Sequence, residues 1–247
     1  MSRGVYTLAS GLLTTENNLA KATENLVNLE TKGFKSSVIE SEKFEPYMLQ
    51  RRKGGRTVPL AECFDGIYSS KVRTDYSLGE IEQTDRGLDF AIVGPGFFKL
   101  EGEQNILTRE GAFHIDEDGY LAHTSGKRVL GEEGTILMQT DRFTLEDDGM
   151  LVSLSGEELG KIALYLAQDD ELSRTDNNCF VATNITALEL PNGETRLENH
   201  ALESSNVVRQ DELVKTVELS KAHSIYAKML KLYEEIDERA NSQILGQ

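Results

Sequence analysis

The chain has 247 residues, of which 38% are hydrophobic and 28% charged, with a formal net charge of −16. That length suits one or two domains with a real core, no run of about 18 apolar residues marks a membrane-crossing helix, and no charged start followed by an apolar block marks a secretory signal. Residues 76–200 hold 9 Lys/Arg against 25 Asp/Glu while both flanks are nearly neutral, a distribution that suits packed ends with a solvated middle and argues against nucleic acid, whose phosphates this surface would repel.

The spacing predicts a helix from Met1 to Lys32. Val5, Leu12, Leu19 and Leu26 share one heptad position, and Leu8, Thr15, Ala22 and Leu29 fall three residues after each, which is a coiled-coil seam. Gly33, directly after the last periodic residue, is the expected left-handed helix stop. The next line, Tyr6, Leu13, Ala20 and Val27, is also apolar, so the arc is wider than a two-stranded coil needs. Gly4, Gly11, Asn18 and Asn25 form another line. A glycine inside a helix costs about 1 kcal/mol relative to Ala, which points to close approach by a neighbouring backbone at Gly11. The reading is a helix with neighbours on more than one side; a core helix of one globular domain is the alternative.

From Ser36 to Tyr76 the helical period is lost and short strands such as 67–72 are expected. Arg51-Arg52-Lys53-Gly54-Gly55-Arg56 reads as a basic turn at a soluble loop tip, with contact to an anionic partner as the alternative. Residues 78–165 are strand-rich. Gly94-Pro95-Gly96 joins two apolar strands, and no third glycine, Lys-Ser/Thr or helix follows to make it a phosphate loop. A repeat offset by 30 aligns 113–121 with 143–151 and Ser125-Gly126 with Ser155-Gly156. Each copy reads as a β-hairpin turning at Asp-Gly, and neither has the alternating ligands of a calcium loop. Further strands are expected at Ile162–Leu166 and Phe180–Ala182. A second helix is expected from about Val207 to Ile244, capped within Ser204-Ser205-Asn206, with Leu213, Val217, Ile225, Met229, Leu232, Ile236 and Ala240 in one stripe.

The fold class expected is therefore α+β: long amino- and carboxy-terminal helices paired in coiled-coil fashion, with an inserted all-β domain. Its parts would be a discontinuous helical assembly domain (1–35 and 201–247), a β-hairpin linker region (36–76) and an outer all-β domain (77–200). The expected assembly interface comprises Val5, Leu8, Leu12, Leu19, Ala22, Leu26 and Leu29 of the first helix, with Ile225, Met229, Leu232, Ile236 and Ala240 of the second.

No chemistry stands out. The four histidines lack metal-site spacing, although His114 and His123 flank one hairpin and could face each other. No serine lies in a nucleophile elbow. Cys63 and Cys179 are too few for a disulfide framework and read as buried thiols, with a bridge between them as the alternative. Catalytic residues, metal and cofactor are expected to be none. The rival reading from another class is a β-domain enzyme or glycan-binding module with a dimerising helical hairpin.

The residues now gathered resemble a known family. Met1-Ser2-Arg3-Gly4-Val5-Tyr6, Ala9-Ser10-Gly11, Asn25-Leu26-Val27-Asn28 and Thr31-Lys32-Gly33-Phe34-Lys35 are similar to the amino-terminal signature of bacterial flagellar basal-body rod proteins. Gly79-Glu80-Ile81 with Thr84, the run 88–98 and Thr108-Arg109-Glu110-Gly111-Ala112-Phe113 resemble the central signature. Ala201-Leu202-Glu203-Ser204-Ser205-Asn206-Val207 resembles the motif that opens the last helix, whose remainder is nearest to the proximal members. Departures include Glu24, Val27 and Glu30, His223-Ser224, and His200 in place of a usual glycine, which calls a left-handed backbone there into question. The resemblance implies a structural axial subunit exported uncleaved by the flagellar type III apparatus. It would polymerise with itself and other rod proteins, cross the periplasm as part of the rod and transmit torque; a distal rod or hook-like protein is the alternative. Phe44-x-x-x-Met48 fits an export element of such substrates, as a chance match also would.

Overall fold

The computed structural model describes residues 3–43, 47–53, 56–63, 66–138, 140, 142–190 and 194–245, with backbone alone in the strands at 47–53 and 56–63. The chain forms two compact units: Met1–Val27, Ser37–Thr74 and Val208–Gln247 make one, and Asn28–Ser36 with Asp75–Val207 make the other. Helices and strands are both present in the proportions of an α+β protein, with one long helix near each terminus.

In the first unit, helix α1 (Arg3–Val27) packs against helix α2 (Arg209–Leu245) and against a β ribbon. The ribbon pairs Ser37–Lys43 with Ile67–Thr74 and Tyr47–Lys53 with Arg56–Cys63, both antiparallel, each with one β-bulge. Lys53 is the register partner of Arg56, so the basic cluster occupies the ribbon's end. Its arginine and lysine side chains, the side chains of Cys63 and Met48, and Phe44 altogether lie outside the described residues.

Two expectations about helix ends are corrected. Helix α1 stops at Val27, not Lys32, because the next residues bond locally: the Thr31 amide donates to the Asn28 carbonyl (3.2 Å) and the Thr31 hydroxyl to Asn28 Oδ1 (3.1 Å), a turn that competes with helix. Leu29 therefore lies beyond α1. Ser204, Ser205 and Asn206 do not cap α2, which begins at Arg209 with Asp211 and Glu212 in its first turn, where negative charge suits the helix dipole. Asn206 bonds elsewhere, as described below.

The second unit is built of antiparallel strands. The main sheet orders Gly134–Thr135, Val129–Gly131, Phe97–Leu100, Asn105–Thr108, Cys179–Ala182 and Leu172–Arg174, with Leu164–Leu166 joining Phe97–Leu100 and carrying Thr186–Leu188. Phe90, Phe98, Leu100, Phe113, Leu121, Leu151, Ile162 and Leu164 form its principal core. Phe97, Leu107, Phe180 and Ala182 form a smaller one, with Tyr76 against it.

The 30-residue repeat is a structural repeat. The Asp116 amide donates to the Tyr120 carbonyl (2.9 Å) and the Gly119 amide to the Asp116 carbonyl (3.0 Å); Glu146, Met150 and Gly149 repeat this at 2.9 and 3.0 Å. His123 and Gly126, then Ser153 and Gly156, repeat it again, each pair closing at 2.8 Å. All four turn glycines have φ between 78° and 89°, the left-handed position of a three-residue hairpin loop. His114 and His123 do not face each other. The register partner of His114 is Ala122, leaving His114 exposed. His123 is fully buried with its ring between Ser125 Oγ (2.9 Å) and Glu110 Oε2 (3.2 Å).

Candidate assembly surface and a buried motif cluster

Within the helical unit, α1 presents its small and polar line to α2. A Cβ built on Gly11 would lie 2.7 Å from the Tyr226 ring, and one on Gly4 would lie 2.9 Å from the Tyr233 hydroxyl. Asn25 reaches Glu212 Oε1 at 3.0 Å. Positions 4, 11 and 25 thus meet 233, 226 and 212, an antiparallel pairing in steps of seven. Small residues on α1 leave room for large ones on α2. Two other polar residues near this line bond within the helix: the Thr15 hydroxyl donates to the Gly11 carbonyl (2.6 Å) and Asn18 Nδ2 to the Thr14 carbonyl (3.0 Å), the back-bonding open to short polar side chains. Gly11 is thus met by an aromatic ring, where sequence reasoning expected backbone.

This intrachain seam runs one residue ahead of the expected one. Of the expected interface residues, Ala22 is buried. Val5, Leu8, Leu12, Leu19, Leu26 and, beyond the helix, Leu29 are half-buried. On α2 the expected stripe flanks the seam and stays open: Ile225 is 53% exposed, Met229 47%, Leu232 57% and Ile236 59%, and Ala240, seven residues after Tyr233, is exposed as well. Tyr6, Leu13 and Val27 add a second outward apolar line, at 61%, 59% and 76%. A patch of large, exposed apolar side chains at helical spacing is a candidate interaction surface.

Asn25 anchors α1 to the ribbon. Its Nδ2 donates to the Ser37 carbonyl (2.9 Å) and its Oδ1 accepts from the Ser37 amide (3.1 Å). Ser10 Oγ accepts from the Ile67 amide (3.4 Å).

In the β unit, three stretches distant in sequence converge on one buried ion cluster. Lys35 Nζ lies 2.5 Å from Glu203 Oε1, and Arg109 Nη1 lies 3.3 Å from Glu203 Oε2; the three side chains are 0%, 1% and 4% exposed. Lys35 also donates to the Ser77 carbonyl (2.6 Å). Arg109 donates to the carbonyls of Ile92 (3.3 Å) and Gly94 (2.8 Å), and the Gly79 amide donates to Glu203 Oε1 (2.9 Å). Burial pulls the Lys35 ammonium below the usual lysine range, with the Glu203 carboxylate opposing it, and burial lowers Arg109 likewise. A buried charge persists only when paired and hydrogen-bonded, and this carboxylate is shared by two cations.

Around the cluster the segments 33–36 and 203–206 bond to each other. The Gly33 amide donates to the Glu203 carbonyl (2.7 Å) and the Asn206 amide to the Phe34 carbonyl (3.3 Å). Asn206 Oδ1 accepts from the Ser36 amide (2.7 Å) while its Nδ2 donates to the Asp75 carbonyl (2.8 Å). Gly33 has φ +67°, and a Cβ there would lie 2.6 Å from the Arg109 carbonyl carbon. The left-handed backbone expected at Gly33 is present, but it serves this close approach six residues after the helix ends. Arg174 covers Phe34, its Cζ 4.4 Å from the ring centroid, and donates to the Lys35 carbonyl. His200 keeps a left-handed backbone, φ 55°, despite carrying a side chain. Each of the three lies within a sequence motif, but no local pattern links positions 35, 109 and 203.

Among the described residues no group of three or more His, Cys, Asp or Glu side chains is arranged as metal ligands. No described helix is long and apolar enough to cross a membrane. Two open hollows, at 145–148 and beside Leu166, Glu171 and Asn184, bring together no catalytic set.

The chain is similar to known proteins. Residues 91–154 match a family model described as the flagellar hook protein FlgE/F/G D1 domain. The chain is 27% identical to a flagellar basal-body rod protein FlgF of Caulobacter vibrioides, over 97% of both chains. It is 27% identical to a flagellar basal-body rod protein FlgG of Bacillus subtilis, over 96% of this chain and 97% of the other. A FlgG of Borreliella burgdorferi is 28% identical over 94% of each.

Proposed function

We propose, for a chain that belongs to the flagellar basal-body rod protein family, a role as a subunit of the proximal rod that polymerises through its terminal helices. The protein is a structural axial component of the rod and hook group and not an enzyme. In the fuller reading, the type III apparatus exports it and it joins other rod proteins and its own copies. It then helps carry torque across the periplasm, with the β domain at 77–200 facing outward. Coiled-coil-like packing of both terminal helices against neighbours would supply the stiffness.

The observation that carries this reading is the open stripe Ile225, Met229, Leu232 and Ile236, each about half-exposed on α2 beside the face that packs on α1. Burying a Leu-sized side chain contributes about 1.5–3 kcal/mol, so a neighbour covering four such residues gains a stable contact, while a free monomer leaves them wet. The test is Leu232→Asp with Ile236→Asp in a strain whose own copy is deleted. Secretion of the variant should continue, while rods fail to form and motility is lost. Normal basal bodies containing the double variant would end the helix-interface reading. Likeness to both FlgF-type and FlgG-type rod proteins makes a distal position the second reading, and immunogold labelling along purified basal bodies separates the two.

A further inference from the structure

We propose that Lys35, Arg109 and Glu203 form a two-ended clasp, which docks the segment 28–36 onto the β unit only when the segment 201–207 is docked as well.

The argument begins with charge. Lys35 and Arg109 are two cations buried beside one carboxylate, and that carboxylate is 168 positions after Lys35 and 94 after Arg109. Until Glu203 is in place, docking 33–36 would bury Lys35 near Arg109 with only the weaker pull of the Asp75 carboxylate to offset it, and each cation would depress the other's charged form. Backbone bonding imposes the same order. The Gly33 amide has the Glu203 carbonyl as its acceptor, and the Phe34 carbonyl receives the Asn206 amide. The Ser36 amide ends on Asn206 Oδ1. Unmade, these leave buried polar groups at 33–36 without partners, a cost that opposes docking. Conversely, Glu203 is almost wholly enclosed and needs Lys35, Arg109 and the Gly79 amide to offset its own desolvation.

The two segments continue directly into α1 and α2 in sequence. One ionic cluster therefore fixes both covalent connections to the terminal helices in a single step. A chain synthesised from its amino terminus cannot complete that step until residue 203 has been added, so an incomplete chain keeps the 28–36 segment loose. The clasp stands on contacts within the β unit and does not depend on the rod reading; the experiment is done on the purified chain, so the two can fail separately.

The experiment is hydrogen exchange with site-resolved detection on the full-length protein, in two forms. At equilibrium, Glu203→Gln keeps an acceptor but removes the charge; exchange at Gly33 and Ser36 should accelerate by about 10²–10³-fold, the loss that follows when a buried pair loses one partner, with Phe98 and Leu107 unchanged. Lys35→Met combined with Glu203→Gln, which removes the uncompensated ammonium, should recover at least about tenfold of that protection. In pulse-labelled refolding of the unaltered chain, Gly33 and Ser36 should gain protection together with Asn206 and after the strands Phe97–Leu100 and Asn105–Thr108. Protection of Gly33 before Asn206 would overturn the clasp. So would unchanged exchange at Gly33 and Ser36 in Glu203→Gln, or a uniform acceleration that includes Phe98 and Leu107.

Discussion

Gly11 of α1 lies against the ring of Tyr226 on α2, close enough that a Cβ would stand 2.7 Å from ring carbon Cε1. Seven residues earlier, Gly4 meets Tyr233, but there the nearest atom is the hydroxyl at the far end of a ring that is itself 39% exposed. The two glycines share a line yet differ in what surrounds them.

Gly-to-Ala substitution should therefore act in opposite directions at these sites. Adding a methyl in a helix normally stabilises by up to about 1 kcal/mol. At Gly4 the Tyr233 ring can swing into solvent, so Gly4→Ala should be neutral or stabilising. At Gly11, which is buried, overpacking should outweigh propensity and cost about 1–3 kcal/mol. Urea unfolding followed at the helical circular-dichroism band distinguishes the two; equal effects would mean the ring does not hold its place over Gly11.

Asn25 joins three elements through one side chain, bonding the backbone of Ser37 and the carboxylate of Glu212. Asn25→Leu should destabilise the helical unit by about 3 kcal/mol or more, since it strands two buried backbone groups and leaves Glu212, which is 8% exposed, with Lys215 Nζ at 3.4 Å as its ion-pair partner among the described residues. Asn25→Asp keeps an acceptor for the Ser37 amide but places a second carboxylate against Glu212, so it should destabilise the unit as well. Thermal unfolding of both variants against the unaltered protein checks the two losses.

The heptad period of residues 4–26 was legible from hydrophobic spacing, and so was the stripe on the last helix. Phase was not. Leucine at 12, 19 and 26 announces a face that wants cover, but nothing local says whether the cover belongs to the same chain. The intrachain partner took the line of Gly4, Gly11 and Asn25 because Tyr226 and Tyr233 need the space that glycine leaves. The hairpin repeat was readable because its turns are set by residues within five positions of each other, as at Asp116 and Gly119. The ion cluster was not, because charge says nothing about which of 26 cations and 42 acids will be carried inside together. Helix α1 ended early for a local reason, the Asn28–Thr31 turn, which apolar periodicity does not register.

His200 sits at φ 55°, with its carbonyl accepting the Thr84 amide at 2.7 Å and its amide bonded to Asn199 Oδ1 at 2.8 Å. A left-handed conformation costs a non-glycine residue about 1–2 kcal/mol, partly offset because glycine has more unfolded-state freedom to lose. His200→Gly should therefore stabilise the β unit by about 0.5–1 kcal/mol, and His200→Val should destabilise it, since a β-branched residue tolerates this backbone least. The denaturation midpoints of the two variants should fall on opposite sides of that of the unaltered protein.

Cys179 offers a chemical readout of the core. Its thiol is 3% exposed, and burial, reinforced by the Glu110 carboxylate, pushes it up from 9.0 to about 11. In a Cys63→Ser background, iodoacetamide at pH 9 should alkylate the native protein at least about fiftyfold more slowly than the unfolded chain, from the difference in thiolate population alone. The linked effect on stability follows from the direction of the shift. Between pH 9 and 11 the native state holds a proton that the unfolded chain releases, so the thiol's contribution is complete below pH 9 and is lost as pH rises through 11. That loss should amount to about 2–3 kcal/mol and should be missing from Cys179→Ala, whose stability should fall less steeply over the same interval. Parallel slopes for the two proteins would show that the thiol ionises as easily in the folded chain as in the unfolded one.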